Sequence, residues 1–93
     1  MYQIVYKKKA IKALEEMPTA IVAKFKAAFS IIADGNNAQL DIKQMEGQDG
    51  FRLRIGGYRA VYELDDGRFI VIVFNVGPRS LSVLKLMLAH IQN

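Results

Sequence analysis

The chain has no cysteine and no tryptophan, only two prolines, and a single histidine among 93 residues. Without cysteine there can be no disulfide framework, no thiolate metal site and no thiol nucleophile. The lone His90 argues against a histidine-rich metal centre, so neither a metal nor a cofactor is expected. No apolar run approaches the roughly 20 residues that span a bilayer. The start, MYQIVYKKKAIK, also lacks the charged-then-apolar order of a signal peptide. These absences predict a soluble, cytoplasmic protein with no membrane partner.

What is present is enough for a core. The apolar fraction is 52%, which excludes a disordered chain, and the length suits one domain over residues 1–93. A formal charge of +4 and a pI near 9.5 favour an anionic partner, nucleic acid first. The cations are unevenly distributed. Residues 1–50 carry only lysines, whereas residues 51–93 carry all five arginines and a single lysine, Lys85.

YQIVY at residues 2–6 is β-branched and aromatic and reads as a first strand. Ala10, Ile11, Leu14 and Met17 recur at helical spacing in the lysine-rich segment that follows. Pro18 stops that helix and can open the next, whose apolar stripe comprises Ile21, Phe25, Ala28 and Ile32, flanked by Val22 and Phe29. Gly35 suits the left-handed residue after a helix end. The polar stretch from residue 36 to 50 reads as a connection, with a brief extended piece around Leu40 and Ile42. Three strand-like runs follow, Phe51 to Ile55, Tyr58 to Leu64 and Phe69 to Val76. Gly56-Gly57 joins the first two, both residues being free to take positive φ, and DDG at residues 65–67 joins the last two. The tail SLSVLKLMLAHIQN reads as a short helix capped by Ser80 or Ser82. An α+β, two-layer domain in the order β-α-α-β-β-β-α is expected, with an antiparallel sheet and a helical hairpin on one face. The other face is left open to water or a partner.

Alternation places Phe51, Leu53 and Ile55 on one face and Arg52 and Arg54 on the other, roughly 6.7 Å apart. Arg59 joins them across the turn, and Arg79 closes the last strand beside the same face. Arg68, at the second turn, reads as solvated. Arginine is the preferred fork for phosphate oxygens, so four guanidinium groups on one uncovered face point to phosphate binding. The alternative is a set of surface ion pairs with Glu63, Asp65 or Asp66. For Lys7, Lys8, Lys9 and Lys12 on the first helix, a solvated face and contact with an RNA backbone both remain open, as they do for Lys85.

The segment EGQDGFRLRIGGYRAVYELDDGRFIVIVFNVGPR resembles the RelE/ParE superfamily of type II toxins, closest to its RelE branch. The resemblance covers the whole chain in element order and is specific in residues 46–79. It implies a two-layer RelE-like fold and a ribosome-dependent mRNA endonuclease. Such an enzyme cuts A-site mRNA by attack of a ribose 2′-hydroxyl on the adjacent phosphate and so inhibits translation. The family's basic pair falls on Arg52 and Arg54, and its two further arginines fall on Arg59 and Arg79. The implied partners are the ribosome, mRNA and a cognate antitoxin, as a toxin-antitoxin heterotetramer or alongside a homodimer. A ParE-like toxin that inhibits DNA gyrase without cutting RNA, or a member that only binds its antitoxin, are the alternatives. The tyrosine that the family carries beyond its last arginine has no counterpart here. Val83, Leu84 and Lys85 occupy that stretch, so either Glu63, Lys85, His90 or the ribosome itself moves the proton, or the toxin is weak or inactive.

Overall fold

A computed structural model describes residues 1–45, 47 and 49–78. Strand β1 (Gln3–Tyr6) leads into helix α1 (Lys8–Glu15) and helix α2 (Thr19–Ala33), followed by a 3-10 turn at Asn37–Gln39. Strands β2 (Asp41–Gln44), β3 (Phe51–Ile55), β4 (Tyr58–Asp65) and β5 (Ile70–Pro78) complete one five-stranded sheet in the order β1-β5-β4-β3-β2. The helix predicted for the tail, its capping serines, and Arg79, Val83, Leu84, Lys85 and His90 lie outside the described residues.

Local chemistry sets the helix ends. Pro18 is the N-cap of α2 with φ −56° and ψ 137°, so the helix starts at Thr19, one position later than predicted. Gly35 has φ 80°. Its N–H donates to the Ile32 carbonyl at 3.0 Å while the Asn36 N–H reaches the Ile31 carbonyl at 3.1 Å. These two bonds form the Schellman closure that a left-handed glycine permits.

The helices cover one sheet face. Ala10, Phe25, Ala28, Phe29, Ile32 and Ala33 pack on Leu53, Ala60, Tyr62, Val71, Val73 and Val76, all buried. Tyr62 anchors this layer, lying edge-on to Phe29 at 5.5 Å and stacked with Phe51 at 5.4 Å. Ile11, predicted to be part of the apolar stripe, is instead exposed. Only a narrow side of α1 meets the core because this helix packs chiefly along β5.

Two features of the sheet depart from expectation. It is mixed rather than wholly antiparallel, because β1 runs parallel to β5, with Gln3 opposite Ile70 and Tyr6 opposite Val73. The chain between them is long enough for the crossover that a parallel pair requires. The brief extended piece is a true edge strand, β2, which places Ile42 against Leu53 on β3. The β3-β4-β5 meander is antiparallel as predicted. Within it, Val61 pairs with Asn75 and Tyr62 with Val73, so Phe74 is the extra residue of a β-bulge.

Candidate nucleic-acid interface

Arg52, Arg54 and Arg59 occupy the face that the alternation assigns them. Leu53 and Ala60 are buried against the helices, so Arg52 and Arg54 on β3 and Arg59 on β4 point to the uncovered side. Register brings Arg54 opposite Arg59 across the hairpin and opposite Asp41 on β2, and it sets Arg52 beside Lys43 and Val61. Like charges directly opposite one another oppose pairing. The Arg54 Nε–H donates to Asp41 Oδ2 at 3.0 Å, which balances that repulsion from the outer strand. Asp41 was absent from the predicted ion-pair partners because its segment read as a connection.

The hairpin turn explains how Arg59 is delivered. Gly56 has φ 59°, whereas Gly57 is not among the positive-φ residues. Only the first turn position therefore needs glycine, as in a type II′ hairpin. At the second turn the left-handed residue is Phe69, φ 54°, and not Gly67. Arg68, expected to be solvated, donates through Nε to Asp65 Oδ2 at 2.7 Å. That hydrogen bond holds the Asp65 carboxyl below its ordinary value. Tyr2 donates from its hydroxyl to Asp66 Oδ1 at 2.5 Å, which raises the phenol's pKa. Arg68 thus stays with its own turn.

A cleft of about 470 Å³ opens where β1 has ended and α1 lies beside the end of β5. Lys9 and Lys12 of α1 and its C-cap, Glu16, line it with Met17, Pro18, Tyr58, Arg59 and residues Asn75 to Pro78. Lys9 and Lys12 lie three apart and so share a helix side, and the structure brings both to Arg59. It does not bring Lys7 or Lys8 there; Lys7 instead caps α1 and donates its backbone N–H to the Val73 carbonyl at 2.9 Å. Glu63 is likewise away from this cleft. It lines a separate hollow of about 280 Å³ with Met45, Asp49, Gly50, Val61 and Phe74. Arg79, which follows the last lining residue, Pro78, is outside the described residues.

The cleft offers three cations, one carboxylate, a phenol and an amide, a set suited to an anionic, partly aromatic ligand such as a nucleotide. Nothing in the sequence pattern alone tied Lys9 and Lys12 to Arg59. The end of β1 opposite Val73, which lets α1 stand beside β5, is a matter of register. Among the described residues, no group of histidine or carboxylate side chains could hold a metal ion. Nor is any described helix long and apolar enough to cross a membrane.

A two-layer α+β domain with a meander, a parallel first strand and a cationic open face defines a class, that of the small RelE-like toxins. The fold is that of the RelB-RelE antitoxin-toxin complex of Methanococcus jannaschii, at a TM-score of 0.73 and 25% identity over 88% of this chain and 96% of that one. The RelE-RelB complex of Pyrococcus horikoshii OT3 is similar, at 0.72 and 25% over 84% and 94%. The intact RelBE toxin-antitoxin complex of E. coli, at 0.73 and 20% identity over 84% and 96%, shares the fold. A search of curated proteins found no match. Residues 4–81 match the family described as the ParE toxin of the type II toxin-antitoxin system parDE. The chain belongs to that family, and it is a type II toxin of the RelE/ParE superfamily.

Proposed function

We propose that this toxin is a ribosome-dependent mRNA endonuclease, held in check by a cognate antitoxin encoded with it and acting in the cytoplasm. One observation supports this reading above the others: Arg59, Lys9 and Lys12 line a single cleft at the end of β5, beside the sheet face that carries Arg52 and Arg54. An RNA backbone threading that cleft would meet cations on both sides. The ribose 2′-hydroxyl gives up its proton as its oxygen attacks the neighbouring phosphorus, the bond to the 5′-oxygen breaks and that oxygen takes up a proton, and a 2′,3′-cyclic phosphate remains. Arg52, Arg54, Arg59 and Arg79 are proposed to stabilise the charge that develops on the phosphorane oxygens. Guanidinium, with a pKa above roughly 12, does not serve as the proton acceptor. Relatives solved with RelB antitoxins support the antitoxin partner.

The test is primer extension on a translated mRNA with purified toxin. Cuts within the A-site codon that require ribosomes, and that are abolished by Arg59→Ala in a folded variant, are the expected result. Intact mRNA at stoichiometric toxin overturns the reading. The family description, a ParE toxin, favours one second reading, a toxin that inhibits DNA gyrase without cutting RNA. Loss of supercoiling activity with mRNA intact would establish that reading instead. Toxicity absent from both assays would leave a member that only binds its antitoxin.

A further inference from the structure

We propose that the free edge of β1 is a self-pairing surface, on which a second copy of this chain adds its own β1 antiparallel across a two-fold axis at Val5. The sheet ends in β1 on one side and β2 on the other, and the two edges are guarded unequally. Strand β2 carries Asp41 and Lys43, charges of the kind that discourage strand addition. Strand β1 reads Gln3-Ile4-Val5-Tyr6, with no charge, no proline and an unbroken register. The Gln3 N–H donates to the Phe69 carbonyl and the Lys7 N–H to that of Val73, each at 2.9 Å, so the alternate residues from Gln3 onward turn their backbone to β5. Ile4 and Tyr6 therefore present their N–H and C=O groups to the open edge, where no backbone partner is found for them among the described residues. Their side chains lean on the core from the helix side, which leaves Val5, 41% exposed, on the uncovered face.

One antiparallel register pairs all of these groups. It sets Ile4 opposite the second copy's Tyr6, Tyr6 opposite its Ile4, and Val5 against its Val5 at the axis. A slip in one direction calls on Tyr2, whose N–H already donates to the Ala33 carbonyl at 3.0 Å. A slip in the other calls on Lys8, which belongs to α1. Charge points the same way. Asp34, the C-cap of α2, follows the carbonyl that holds Tyr2, and Asp66 accepts the Tyr2 hydroxyl, so both lie at the start of β1. Lys7 and Lys8 lie at its end. None of the four has an ion pair among the described residues. An antiparallel copy brings its lysines, and the N-terminal end of its α1, beside these aspartates and the C-terminal end of α2. The edge is thus complementary to itself, as a two-fold interface requires, and this favours a second copy over a strand from another protein. Strands of four residues make a small contact, so the dimer is weak, with a dissociation constant of roughly 10 µM to 1 mM.

The chain has no cysteine, so Val5→Cys introduces a single thiol. At a non-hydrogen-bonded antiparallel pair the two Cα atoms lie about 4.5 Å apart, within disulfide reach. Under mild oxidation Val5→Cys should cross-link at least about tenfold faster than Lys26→Cys, an exposed position on α2, because pairing raises the effective thiol concentration. In the parent, amide exchange followed by NMR should slow at Ile4 and Tyr6, and not at Val5, as the toxin is concentrated from about 50 µM to about 1 mM. Val5→Lys places like charges at the axis. It should remain monomeric by sedimentation velocity over that range, with a melting temperature close to the parent's. A parent that stays monomeric throughout, equal cross-linking of the two cysteine variants, or a dimer that survives Val5→Lys overturns the proposal. None of these measurements involves RNA, so their outcome is independent of whether the toxin cuts mRNA.

Discussion

Arg54 sits between an attraction and a repulsion. Arg59 faces it across the hairpin, and Asp41 takes its Nε–H with 46% of the arginine side chain and 59% of the aspartate still exposed. A pair so open to water contributes about 0.2–1 kcal/mol. Asp41→Asn should therefore lower Tm by no more than about 5 °C while releasing the guanidinium towards phosphate. RNA affinity equal to or above that of the parent is the expected result, and a fall would show that Asp41 orients Arg54 for its ligand. Tyr62 poses the opposite case, a group whose ionisation is opposed by burial. It is 1% exposed, and burial pushes its phenol from 10.0 up to about 12. With the folded pKa above the unfolded one, the stability it contributes is complete below about pH 10 and is lost as the pH rises through about 12. Tyr62→Phe retains the ring against Phe29 and Phe51, so melting curves across that window should decline less steeply than for the parent. If they decline equally, Tyr6, whose pKa burial also raises, carries the alkaline transition.

At the level of elements, the two hairpin turns solve the same problem differently. Gly56 adopts φ 59° with open space around the position of a Cβ, so a substitution there meets backbone strain and no clash. Gly56→Ala should cost roughly 1–2 kcal/mol, whereas Gly57→Asn should stay within about 0.5 kcal/mol, both read from denaturant midpoints. Equal costs would mean that both positions need the left-handed region. The strands with a strong β-branched or aromatic signature, β1, β3, β4 and β5, were legible in the sequence, as was the stripe of Phe25, Ala28 and Ile32 on α2. Strand β2 was legible only as a brief extended piece, because Asp41, Lys43 and Gln44 surround one inward residue, Ile42, and an edge strand needs only one face. Nor could alternation reveal that β1 lies parallel to β5, since pairing partners distant in sequence leave no local trace. The open-face site followed the same division. Arg52, Arg54 and Arg59 were readable from a period of two, but the cleft depends on where β1 stops relative to β5. Lys9 and Lys12 could not be separated from Lys7 and Lys8 until that register was known.

For the molecule as a whole, the net charge of +4 matters less than its placement. Cations spread evenly over a surface and cations gathered around one groove give the same total, but they differ in how salt acts on binding. Each phosphate neutralised on a single strand releases counterions, and log K falls with log salt by about 0.7 per contact. If Lys9, Lys12 and Arg59 are the cations that line the groove, a short single-stranded RNA should bind with a slope of about −2. Replacing Lys9 and Lys12 together by glutamine should reduce that slope by about 1.4. The same change at Lys7 and Lys8, equally exposed on or beside α1 but outside the cleft, should leave it nearly unaltered. Fluorescence anisotropy over a salt series decides between the two arrangements. Identical slopes for the two double variants would mean that the helix attracts RNA as a diffuse positive face. A selective loss at Lys9 and Lys12 would locate the grip where α1 meets the end of β5.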